Sequence, residues 1–138
     1  MTIDIKAVLN RVITDVFDGA FVTKDASSAD PWLHSVEVTS RTGEDRAVII
    51  RAGRVWMAAF IPELDVGADM VDEDDDVAYK EEELRKLCRA LRAYLEGGGH
   101  VRQRRRLFGR GTTSVLTIEV DGFKWRFGRR SSVWAYPV

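Results

Sequence analysis

The sequence predicts an α+β protein in the order α-βββ-α-βββ, with an antiparallel sheet, or two, and two helices packed against it. Three observations predict this class. Two stretches, 3–17 and 79–96, carry apolar residues at helical spacing. Several short runs alternate apolar and polar residues between short turns. Near the C-terminus an Asp-Gly pair divides two alternating runs, the strongest short-range signal for a hairpin.

In the first helix Ile5, Val8, Leu9, Val12, Val16 and Phe17 share a face, with Thr2 or Asp4 as the cap. Asp18-Gly19 ends it, and a polar loop is expected through Lys24–Pro31. Three strands follow: Trp32–Thr39, Ala47–Arg51 and Val55–Ile61, separated by Arg41–Asp45 and Ala52-Gly53. Short turns between short strands imply an antiparallel meander. Residues 64–78 read as one irregular acidic loop containing Asp72, Glu73, Asp74, Asp75 and Asp76.

The second helix, Tyr79–Glu96, places Leu84, Leu87, Cys88, Leu91 and Leu95 on one stripe. Glu81, Glu82 and Glu83 are expected in its first turn, where exposed backbone N–H groups favour negative charge. Glu81 with Arg85 and Glu82 with Lys86 are spaced for i,i+4 ion pairs, and Gly97-Gly98-Gly99 stops the helix. Val101–Phe108 carries arginines on both faces, which suits an edge strand. Ser114–Val120 and Phe123–Phe127 flank Asp121-Gly122. A two-residue turn there pairs Val120 with Phe123, Ile118 with Trp125 and Leu116 with Phe127, all apolar. Val133–Val138 is expected as a last short strand or packed tail.

The chain has 138 residues, 45% apolar and 31% charged, so a single globular domain over 1–138 with its own core is expected and disorder is not. No run approaches the roughly 18 apolar residues of a membrane span. The N-terminus lacks the uninterrupted apolar stretch of a signal peptide, and the single cysteine cannot form an internal disulfide. A reducing cytoplasm is the expected location.

Catalytic patterns are absent: no Walker loop, no G-x-G-x-x-G after a strand, no G-x-S-x-G, no H-E-x-x-H. His34 and His100 are the only histidines, and Cys88 sits mid-stripe, where a buried inert thiol is usual. Zinc lacks ligands here. Asp72, Asp74, Asp76 and Glu83 fit positions 1, 3, 5 and 12 of a calcium loop, but Val77 stands where its glycine must turn and no helix precedes it. No metal, cofactor or catalytic residue is expected.

Charge is polarised. Residues 1–99 carry 12 Lys/Arg against 20 Asp/Glu, a net −8; residues 100–138 carry 9 against 2, a net +7; the total is −1. Such segments either pair with each other or present two surfaces to partners. Asp72–Asp76 is the expected partner-binding segment, able to mimic phosphates in the basic cleft of an enzyme. The alternative is a basic surface built from Arg102, Arg104, Arg105, Arg106, Lys124 and Arg126, with Arg129 and Arg130 beyond, which could bind nucleic acid, with Phe108 or Trp134 stacking on bases.

In size, in strand–helix alternation, in Asp72–Asp76 and in the Tyr79–Gly99 helix followed by Val101–Phe108 and Leu116–Phe127, the chain resembles the small immunity proteins that neutralise bacterial polymorphic toxins. That resemblance implies a non-enzymatic inhibitor that covers the active site of one cognate toxin. The order is also similar to that of secretion-chaperone domains, α-βββ-α-ββ. This implies a homodimer holding an extended segment of an effector protein, although the chain ends in strand-like residues where that family has a helix.

Overall fold

The structure is a computed structural model that describes residues 4–27, 33–41, 46–105, 111–129 and 136–137. It is α+β, with two helices and two antiparallel sheets. Helix α1 spans Ile5–Val16, and the five strands β1 Phe21–Asp25, β2 Leu33–Ser40, β3 Ala47–Gly53, β4 Trp56–Ile61 and β5 Val66–Val71 follow it. Helix α2 spans Val77–Leu95, and β6 His100–Arg105, β7 Thr112–Val120, β8 Phe123–Phe127 and β9 Tyr136–Pro137 complete the chain. Each sheet is a meander in sequence order: β1 to β5 in the first, β6 to β9 in the second.

Five strands therefore precede α2, where three are expected. The first addition, β1, lies just after the end of α1 and overlaps the expected polar loop only at Lys24 and Asp25. Only its Phe21 is buried, so it carries no alternation, yet it pairs along its length with β2 as an edge strand. The second, β5, occupies the first half of the expected irregular stretch 64–78. Val66, Ala68 and Met70 face the core while Gly67, Asp69 and Val71 face away, and residues 64–65, a turn, and 72–76 are what stays outside regular structure.

Both helices begin at aspartates whose carboxylates accept an exposed N–H of the first turn, Asp4 from Ala7 and Asp76 from Tyr79. Because Asp76 is the cap, α2 starts at Val77 and its first turn holds no acid; Glu81–Glu83 lie one turn further in. Glu81 pairs with Arg85 at 3.0 Å as expected, but Lys86 takes Glu83 at 2.7 Å instead of Glu82. At the far end the Gly97 and Gly98 N–H groups donate to Tyr94 and Ala93 carbonyls, a Schellman closure.

One apolar cluster joins all layers. From α1 it takes Val8, Leu9 and Val12; from the first sheet Val38, Val48, Ile50, Met57 and Ile61; from α2 the expected stripe; from the hairpin Leu116, Ile118, Trp125 and Phe127. The hairpin register is the expected one at all three pairs, and Asp121 and Gly122 take the positive φ of a type I′ turn, 55° and 80°. Ion pairs tie the helices together: Arg11 to Glu81, and Arg85 to Asp15 at 2.8 Å. Arg92 of α2 donates to the Val16 carbonyl, capping α1 from outside. The sheets meet where the Gly67 N–H donates to Gly128 at 3.0 Å.

No helix is long and apolar enough to cross a membrane among the described residues.

A candidate protein-binding face

The acidic run is partly consumed by the fold. Lys80, a residue 1% exposed, donates through its ammonium to the Asp72 carbonyl at 2.7 Å and to its carboxylate at 2.8 Å. That contact holds the Asp72 carboxyl below the usual aspartate range. Asp76 is the cap of α2. Asp75 pairs with Arg54 at 3.3 Å, both ends well exposed, which contributes little. Glu73 and Asp74 make no ion pair among the described residues. Of the five expected binding acids, two are therefore structural and three face solvent beside the β3–β4 turn.

The acidic and basic segments meet at one pair, Asp65 with Arg129 at 3.5 Å, and among the described residues no ion pair joins 72–76 to 100–129. The basic residues divide instead by strand register. Arg102, Lys124 and Arg126 share the outer face of the second sheet, with Arg104 at a register position on that same face. Arg105 falls on the opposite face, opposite Thr112. β6 is the edge strand its arginines suggested. Arg106, Phe108, Arg130 and Trp134 lie outside the described residues.

The chemistry of the thiol and histidines is quiet. Cys88 is fully buried and its thiol is pushed up to about 12 by that burial, far from a nucleophile's range. His34 lies on β2 and His100 opens β6, on different sheets. Among the described residues no three His, Cys, Asp or Glu side chains gather as a metal site.

The feature that sequence reasoning missed is the outer face of the first sheet. An antiparallel sheet with helices on one face ordinarily turns a polar face to water. Here the register places Ile49, Phe60 and Gly67 in one row across β3, β4 and β5, and Trp56 with Val71 in another. Between them Arg51, Ala58 and Asp69 form a third row. Ile49, Trp56 and Phe60 are half-buried and Val71 is 65% exposed; none of the four belongs to the core cluster or packs on it. The Trp56 indole N–H donates to the Asp69 carboxylate at 3.3 Å, which fixes the ring against the sheet.

A signal for this face was present. Trp56–Ile61 is apolar at every position, Trp-Met-Ala-Ala-Phe-Ile, so it has an apolar set on both faces. Only one face can meet the helices. The other carries a second apolar surface, and the acidic residues 73–75 leave the sheet at its Trp56–Val71 end, where the Asp72 N–H donates to Val55.

No protein-family model matches the chain, and no curated protein or solved structure matches it at a significant level.

Proposed function

We propose that this is a non-enzymatic binding protein that docks a second protein on the outer face of its first sheet. Its most specific form is an immunity-type inhibitor that covers the active site of a toxin in the cytoplasm. The observation that carries the reading is the apolar set Ile49, Trp56, Phe60 and Val71 on the sheet face turned away from the core. Aromatic side chains beside arginine are the composition of interface hot spots, and full desolvation of such an anchor typically contributes about 2 kcal/mol or more. Glu73, Asp74 and Asp75 rim that face with negative charge, which favours a partner with basic groups at its edge and speeds encounter. The basic cleft of an enzyme that handles phosphate-bearing substrates has that character.

The test is a pull-down with the tagged full chain, run with and without nuclease, followed by native mass measurement. One stoichiometric protein partner supports the reading. Recovery of nuclease-sensitive material alone would contradict it and favour a nucleic-acid role for Arg102, Lys124 and Arg126, which share one sheet face. In that case affinity falls steeply with salt.

A further inference from the structure

We infer that the cavity on this face is a recognition pocket for a large apolar side chain of the partner lying next to a carboxylate, with Arg51 as the carboxylate's contact. The inference rests on the docking face proposed above and names what one part of it receives.

The cavity, about 390 Å³, opens on the outer face of β3–β5 where Gly128 and Arg129 close it from the second sheet. That volume lies in the range of sites that enclose a small ligand or one large side chain with its neighbours. Trp56 and Phe60 are its walls, four residues apart on β4 and so about 13 Å apart along the strand. Ala58 and Gly67 are its floor. A Cβ at residue 67 would lie 2.7 Å from the Ala59 carbonyl oxygen, so that position stays bare and the floor stays flat.

Charge decides what accompanies the apolar group. Arg51 and Asp69 both stand opposite Ala58, on the strands to either side, so they are about 10 Å apart. No ion pair joins them among the described residues. Asp69 already accepts the Trp56 indole N–H, and Arg129, the other cation at the rim, pairs with Asp65 at 3.5 Å. Arg51 is exposed and forms no ion pair among the described residues. Asp69 keeps its charge but has an acceptor site taken by the Trp56 N–H, whereas the Arg51 guanidinium has no ion-pair partner among the described residues, and its forked donor geometry fits a carboxylate. With the acids 73–75 at one end of the face and Arg51 within the pocket, the two signs also fix the orientation in which a partner docks.

The test uses three short peptides, acetyl-Phe-Glu-amide, acetyl-Phe-Gln-amide and acetyl-Phe-Lys-amide, titrated into the full-length protein. Binding is followed by NMR at the Trp56 indole N–H and the Gly67 amide. The Glu peptide is expected to shift both signals and to bind about 3- to 5-fold tighter than the Gln peptide, the modest preference of a solvent-exposed ion pair. The Lys peptide should bind weakest. Arg51→Gln should abolish the Glu-over-Gln preference, and Arg51→Lys should retain part of it, with the remaining spectrum unchanged. Equal affinities for the three peptides, or no shift at Trp56 and Gly67 at saturating peptide, would overturn the inference. If the tagged chain still captured its partner in that event, the docking face would stand without the pocket; peptide selectivity without any captured protein would mean the reverse.

Discussion

Lys80 and Asp72 form a buried ion pair that closes the loop between β5 and α2, with side chains only 2% and 10% exposed. The pair pulls the start of the acidic run into the fold. Removing one member leaves the other as a poorly solvated charge, which is the costly case. Asp72→Ala is expected to lower stability by about 2–4 kcal/mol. Replacing Asp74 with Asn should stay within about 0.5 kcal/mol, as a surface change. Urea denaturation of the two variants checks the difference.

Acid sensitivity follows from the same contact. The Asp72 carboxyl is lowered mainly by its hydrogen bond from Lys80, and that of Glu81 mainly by its bond from Arg11, with Arg85 adding to it. A depressed folded-state pKa means the unfolded chain binds the proton more readily. The stabilisation is therefore complete above the ordinary carboxylate range, from about pH 5–6 upward, and is lost as pH falls through the lowered folded values. Thermal melts from pH 7 to pH 2.5 should give a Tm that is level at first and then falls. For Asp72→Asn the acid drop should be shallower than in the wild type.

Cys88 should be silent in the native state. It is fully buried, and burial raises its thiol to about 12. A thiol reagent at pH 8 should label it at the rate at which the protein opens, and denaturant should accelerate labelling by orders of magnitude. Rapid labelling of native protein would contradict the buried stripe of α2.

The helix-end arginine Arg46 links the start of β3 to the end of α2. Its guanidinium donates to the Tyr94 carbonyl at 2.6 Å and lies over the Tyr94 ring, 4.6 Å from its centre. The carbonyl belongs to the last turn of α2 and has no partner within the helix beyond the Gly97 N–H. Arg46→Ala should cost about 1–2 kcal/mol, more than a surface arginine, as read by chemical denaturation.

Much of this architecture is legible in the chain itself. The hairpin register follows from a two-residue turn and the apolar identity of three facing pairs, and the α2 stripe follows from spacing alone. Strand β1 is hidden because it buries only Phe21, and β5 because Gly67 and Ala68 dilute its alternation just before the acidic run. The apolar outer face of the first sheet is hidden for a different reason. Trp56–Ile61 reads as a strand with apolar side chains on both sides, but which side meets α1 and α2 is settled only by the pairing of β3, β4 and β5. Which of the acids the fold itself uses is not legible either, because charge density is local, whereas the Lys80 that takes up Asp72 comes from the next helix.

The most direct test of the docking face is the affinity of the captured partner for Trp56→Ala and Phe60→Ala. Neither side chain belongs to the core cluster, so both variants should keep the wild-type circular dichroism spectrum and melt within a few degrees of wild type. Each should lose about 30-fold or more in affinity, corresponding to roughly 2 kcal/mol per aromatic anchor. Folded variants that bind as tightly as wild type would contradict the account.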